Sequence, residues 1–242
     1  GFDGMDITEP EPFANRNLST SSTEKNSYVY NSIKRAVDSV KDPEVVECTA
    51  IAMPGLTDKT LTNYILQKAE DRADCLAIID LEGGYQPYTE VAGSSEGSVS
   101  SVTANLKLRN LNNSYGCAYY PWVQIQDPMT NQVLWAPPSV VAVGVLGNTD
   151  AFHEPWFAPA GFTRGGLTNG AAGIAVLNVK EHLNSKERDK LYEMHINPIA
   201  SFPAEGIVIF GQKTLQFTRS ALDRINVRRL LIFIKKGMRE SY

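Results

Sequence analysis

A mixed α/β fold, with a partly parallel sheet flanked by helices and one β-hairpin, is the class this sequence predicts. Three observations carry it. Apolar residues recur at helical spacing in several windows, as on a helix with one buried face. Between those windows lie short β-branched and apolar runs closed by glycine or proline, the composition of buried strands. A strand, a helix and a second strand also follow one another within about 37 residues, the plan of a right-handed crossover between parallel strands.

Residues 1–23 are rich in turn formers, have no apolar period, and read as an irregular lead-in. No initiator methionine precedes Gly1, so the chain reads as a piece excised or processed from a longer one, with residues 24–242 as its α/β core. From Glu24 onward, Ile33, Ala36, Val37 and Val40 take helical spacing, and Asp42 and Pro43 stop that helix. VVECTAIAM at 45–53, closed by Pro54 and Gly55, predicts a buried strand. Asp58 then caps a helix whose stripe is Leu61, Ile65, Leu66 and Ala69. CLAIIDL at 75–81 is the second strand, ended by Gly83 and Gly84.

Residues 92–101, AGSSEGSVSS, form a small polar linker before a helix over 102–111. YGCAYYPWVQIQ and QVLWAP flank DPMTN, a connection that suits a hairpin. PPSVVAVGVLGNTDAF fits a strand by its β-branched residues and a helix by its leading prolines, and its length favours the helix. Five glycines make 161–173 a flexible surface loop. SKERDKLYEMH at 185–195 opens a helix with Ser185 as its cap, and GIVIFG at 206–211 is a strand. Asn226 begins a last helix in which Val227, Leu230, Leu231, Ile234 and Met238 form the buried stripe. Arg228, Arg229, Lys235, Lys236 and Arg239 make its other flank basic.

Composition narrows the function. Hydrophobic residues at 43% and charged ones at 21% are ordinary globular values, and a net charge of −4 argues against general nucleic-acid affinity. No apolar run is long enough to span a bilayer, so direct membrane insertion is not expected. Cys48, Cys75 and Cys117 all lie in apolar, strand-like stretches and read as core hydrophobes in a reducing compartment.

The motifs that suggest chemistry fail on physical grounds. In HEPWFAPAGFTRG, His153 and Glu154 open the zinc signature H-E-x-x-H, yet Phe157 stands where the second histidine belongs and Pro155 opposes the helical turn. His153, His182 and His195 have no metal-ligand spacing, so no metal and no cofactor is expected. Gly93 to Gly97 match G-x-S-x-G around Ser95, with Asp127 or Asp150 and then His182 or His195 in hydrolase order. A nucleophile elbow needs a strand before the serine and a helix after it, and neither flank supplies one. A serine hydrolase using Ser95 is the alternative to a structural role. No P-loop is present, and GGLTNGAAG at 165–173 lacks a preceding strand.

Three stretches occur in order with characteristic separations: WFAPAGFTRGGL at 156–167, RDKLYEMHINPIASFPAEGIVIFGQKTL at 188–215, and DRINVRRLLIFIKKGM at 223–238. Together they resemble the contractile tail sheath proteins of bacteriophages, especially those of T-even-like phages. The likeness is strongest over 134–242 and extends more loosely through 42–85. Sheath proteins of this kind are longer on both sides, so the chain, beginning in G-F-D-G, reads as a core piece lacking the arms that exchange strands between subunits.

The resemblance implies a structural subunit, not an enzyme. Its parent would form six-subunit rings stacked helically around a tail tube, joined to a baseplate, and would contract to drive the tube through the host envelope. It would be assembled in the host cytoplasm and belong to the virion. The carried-over motif residues are Pro159, Ala160, Gly161, Asn197, Pro198, Gly211, Lys213, Thr214 and Asn226. Arg164, Arg228, Arg229, Lys235 and Lys236 are the expected subunit or tube contacts.

Overall fold

The computed structural model describes residues 28–83 and 97–241. The lead-in at 1–23, Gly84 and Ser95 lie outside the described residues. Five strands form the main sheet, in the order β1-β2-β3-β7-β8. They are β1 (Ala50–Ala52), β2 (Leu76–Ile79), β3 (Gly116–Tyr120), β7 (Ile196–Phe202) and β8 (Gly206–Ile209). The first four run parallel and β8 returns antiparallel to β7. Every residue of β2 and β3 is buried, as expected of parallel strands covered on both faces. A second, antiparallel sheet has β4 (Val123–Gln126) between β5 (Val133–Ala136) and β6 (Ala175–Val179).

The crossover between β1 and β2 is α2 (Lys59–Arg72), following α1 (Tyr28–Ser39). Asp58 caps α2 by accepting from the Thr60 and Leu61 N–H groups at 3.0 and 2.9 Å, and Leu61, Ile65, Leu66 and Ala69 are buried as the spacing predicts. In α1, Ile33 and Val37 are buried but Ala36 is exposed. Strand β1 is three residues long, and 45–49 approach it as irregular chain.

Helix α3 (Val99–Arg109) starts inside the expected linker, because the Ser98 hydroxyl accepts from the Ser101 N–H at 3.1 Å and nucleates the first turn there. YGCAYYPWVQIQ splits at Pro121: its first half is the central strand β3, and only its second half, β4, pairs in the hairpin with β5. Proline has no N–H to continue a ladder, so the chain changes sheets there. PSVVAVGVLGNTDAF is the helix α4 (Pro138–Phe152), packed on β1, β2 and β3.

Pro137 caps α4 without any side-chain bond, and a residue distant in sequence takes over. Asp80, just past β2 and 1% exposed, accepts from the Ser139 N–H at 3.3 Å and the Ser139 hydroxyl at 2.7 Å. It also accepts from the Gly55 N–H at 2.9 Å. One carboxylate thus holds the turn after β1 against the positive end of α4.

Residues 161–173 are not a flexible loop. They contain the single turn α5 (Gly161–Arg164), a bridge from Gly166 to Val208, and the buried Leu167, Ala171 and Ala172. A Cβ at Gly144 of α4 would lie 2.2 Å from the Ala172 carbonyl oxygen, so only glycine lets helix and loop meet. Helix α6 (Ser185–Glu193) begins one residue earlier than Ser185 would allow as cap. Asn184 is the cap, and its capping box with Glu187 leaves Ser185 in the first turn.

Candidate subunit-contact surface

Helix α7 (Ile225–Glu240) faces the opposite way from its apolar spacing. Its buried residues are Ile225, Arg228, Arg229 and Ile232. The stripe expected to be buried turns outward: Val227, Leu230 and Leu231 are half-buried, while Ile234 and Met238 are 44% and 54% exposed. Phe233 joins them at 49%, with the Trp156 ring against it at 5.5 Å.

Partners on the inner side explain the inversion. The Arg228 guanidinium donates to the Ser114 hydroxyl and stacks 4.0 Å from the Tyr115 ring centre, while burial holds its pKa below the ordinary arginine value. Arg229 pairs with Asp150 of α4. Lys235 donates to the Tyr115 hydroxyl at 3.0 Å, Lys236 pairs with Glu47 at 2.6 Å, and Arg239 reaches Asp74 at 3.6 Å. Long cationic side chains bury their stems and bring charge to acceptors on α4, on the approach to β1 and at the start of β2. Arg228 and Arg229, at 5% and 6% exposure, therefore have little surface for a tube or a neighbouring subunit. Basic groups at these two positions hold the helix to its own core.

The motif residues form two interlocked structures. In the first, Pro159 is buried and Ala160 packs on the core. Gly161 turns the chain at φ 82°, a left-handed conformation that disfavours other residues. Arg164 folds back on this turn: its Nε donates to the Ala158 carbonyl at 2.8 Å and its guanidinium covers the Phe157 ring at 5.1 Å. The carbonyl of Gly165 then accepts from the Ile209 N–H at 2.9 Å, fastening the segment to β8. His153 and Glu154, at its start, are exposed.

The second structure centres on Asn197, which is 0% exposed. Its amide donates to the Ala118 and Lys213 carbonyls at 3.1 and 2.9 Å, and its oxygen accepts from the Lys213 N–H at 2.6 Å. One side chain thereby joins β3, β7 and the turn after β8. Gly211 runs against the Pro198 ring in the same turn. The Thr214 hydroxyl donates to the Leu222 carbonyl at 2.8 Å, and its own carbonyl contacts His195 Nδ1 at 2.9 Å. Lys213 Nζ donates to the Tyr192 carbonyl at 3.0 Å and sits over that ring at 3.5 Å. Asn226 stands half-buried in the first turn of α7.

Beside these structures an aromatic patch reaches the surface, which the sequence reading missed. Phe162, Phe202 and Phe210 meet edge-on or tilted at 5.2–5.8 Å, with Phe162 and Phe210 47% and 43% exposed. They are scattered over 49 positions, and the β7–β8 return together with the packing of α5 on β8 brings them together. Among the described residues no group of three His, Cys, Asp or Glu could hold a metal, and no helix is long and apolar enough to cross a membrane. An exposed apolar helix face and an aromatic patch are features of surfaces that meet other protein.

No protein-family model matches the chain. The sheath of an extracellular contractile injection system, the PVC sheath complex in its contracted state, has the same fold. It superposes with a TM-score of 0.61 over 84% of this chain and 50% of that one, at 19% identity. The fold is therefore one found in sheaths of contractile injection systems. In sequence, the chain is 30% identical to the tail sheath protein of Vibrio phage KVP40 over 223 residues, 85% of this chain and 32% of that protein. It is 34% identical to the tail sheath protein of Enterobacteria phage T4 over 189 residues, 76% of this chain and 28% of that one. The chain is thus similar in sequence to phage tail sheath proteins, in agreement with its motifs, and spans about a third of the length of these two.

Proposed function

We propose that residues 24–242 are the α/β core of a contractile tail sheath subunit, a structural component of a phage particle. The observation that carries this reading is the alignment with two phage tail sheath proteins over most of the chain, joined to the sheath fold. In the full-length protein, subunits would stack as six-membered rings around a tail tube above a baseplate, assembled in the host cytoplasm. Contraction drives the tube forward when contacts in the contracted lattice are the more favourable, because a subunit changes state only where its neighbours bind the two states differently. The core then has to move as a rigid body. The Asn197 network and the ion pairs under α7 support that by tying distant elements together.

This role asks for no catalytic residue. Arg164, with its guanidinium on the exposed Phe157 ring and in the same short helix as Phe162, is the first cation to test as a subunit contact. Antibodies raised against this chain should decorate the outside of the tail along its whole length in electron micrographs of the particle that encodes it. Decoration confined to the capsid or the tail tip, or none on intact tails, would overturn the reading.

A further inference from the structure

The outer face of α7 carries an apolar period that its own core does not use. Val227, Leu231, Ile234 and Met238 stand four, three and four residues apart, the alternation that keeps one seam of a helix facing a second helix. Ile234 and Met238 are exposed, Val227 and Leu231 are half-buried, and Leu230 and Phe233 flank the seam. The cations of the helix are engaged on its other side, with Ser114, Tyr115, Asp150, Glu47 and Asp74. The seam itself carries no charge.

Gly237 is a second, independent feature of the same face. It lies within α7, where glycine weakens a helix relative to alanine. A Cβ built there would meet nothing within 4 Å. The fold of this chain therefore gives no reason for a glycine, in contrast to Gly144, where the Ala172 carbonyl stands in the way. Gly237 follows Ile234 by three residues and Phe233 by four, so it lies beside the seam and leaves room for the backbone of another element to come close.

We propose that this seam docks an amphipathic helix with a matching apolar period, supplied by the part of the full-length subunit outside residues 1–242. The inference rests on the sheath-subunit reading: the chain spans about a third of the length of two phage tail sheath proteins, so a subunit of that length has most of its polypeptide elsewhere. From Val227 to Met238 the seam runs about 16 Å at about 1.5 Å per residue, a length that a partner helix of about 11–14 residues matches. A strip of that length and one helix wide, about 10 Å, falls well short of the roughly 800 Å² per partner that free-standing interfaces bury. Two separate copies of this chain would not hold together through it. A helix in the same polypeptide meets it at an effective concentration that reaches the millimolar range. Its side chains fill the spaces along the seam, and its backbone passes over Gly237.

The test uses the full-length subunit, purified before assembly, with photoreactive p-benzoylphenylalanine in place of Ile234. Irradiation should give an intrachain crosslink: the denatured product keeps the monomer mass, and its digest joins the peptide around position 234 to a segment outside residues 1–242 with apolar residues three and four apart. The same probe in place of Met129, 91% exposed at the hairpin tip, should give none. Gly237→Leu should leave the urea midpoint of the 242-residue chain unchanged or raised, because the side chain enters open space and leucine favours helix. In the full-length subunit the same substitution should cut the crosslink from position 234 several-fold. A crosslink into a second subunit, one confined to residues 1–242, or none at all would overturn the proposal. So would an undiminished crosslink or a lowered midpoint in Gly237→Leu, or a coding sequence confined to residues 1–242. Antibody decoration of the tail tests the sheath reading separately from all of these.

Discussion

Asp80→Asn tests the tie between β2 and α4 through its pH dependence. Two opposing effects act on this carboxylate. Burial disfavours the charged form, while bonds from the Gly55 N–H and the Ser139 N–H and hydroxyl favour it. Burial wins, and the pKa rises from 3.8 to about 6. A carboxyl with a raised folded pKa binds its proton more tightly folded than unfolded, so its contribution to stability is present in mild acid and lost as pH rises through about 6.

The full shift corresponds to about 3 kcal/mol. Between about pH 7.5 and about pH 4.5, where the unfolded form is still mostly ionised, about 2 kcal/mol of it appears. Asparagine cannot titrate, so the stability gap between the unsubstituted chain and Asp80→Asn should widen by about 2 kcal/mol on acidification over that range. Urea unfolding followed by tryptophan fluorescence at matched pH values measures the gap, and subtraction cancels the other carboxylates. A constant gap would refute the dominance of burial. A narrowing gap would show that the three donors win and that the pKa lies below 3.8.

Other predictions follow from the same contacts. Ile232→Ala, at a site 4% exposed, should cost about 2–4 kcal/mol in chemical denaturation, whereas Ile234→Ala, at 44%, should cost about 1 kcal/mol or less. The reverse order would mean that α7 docks by its apolar stripe. Arg229→Glu places like charge beside Asp150 and should destabilise the chain by about 3 kcal/mol, read in the same assay; an unchanged midpoint would remove the ion pair from the account. Asn197→Ala leaves the Lys213 N–H and two carbonyls without their partner and should cost about 3 kcal/mol, with faster hydrogen exchange at Lys213; unaltered exchange would contradict the network. Ester hydrolysis should be absent with both Ser95 and Ser95→Ala, and turnover abolished by the substitution would restore a hydrolase.

Helices were readable where a local device defines them. The Asp58 cap and the Leu61, Ile65, Leu66 and Ala69 stripe lie within one segment, so sequence alone places α2. The direction of α7 was not readable for a different reason. Its period identifies two faces, but its orientation depends on Ser114, Tyr115 and Asp150, between 79 and 120 residues away.

Strand β6 escaped notice because its burial does not alternate: only Val176 and Val179 of Ala175–Val179 are buried. The split at Pro121 was equally hidden, since both halves of YGCAYYPWVQIQ are apolar and nothing local says which sheet each joins. At the motifs, the order of W-x-A-P-A-G, I-N-P-I and G-x-K-T carries the resemblance to tail sheath proteins, which the sequence similarity to two of them matches. That Asn197 reaches across to Lys213 is visible only in the folded chain.

In the proposed role as a sheath subunit, this core would be carried unchanged through contraction. Cryo-electron microscopy of the intact tail, before and after contraction, tests it most directly. The prediction is that residues 28–83 and 97–241 fit the sheath layer in both states as one body, with Asn197 on Lys213 and Arg229 on Asp150 throughout. Density in which α7 leaves Asp150 on contraction, or a sheath layer that the fold does not fit, would contradict it.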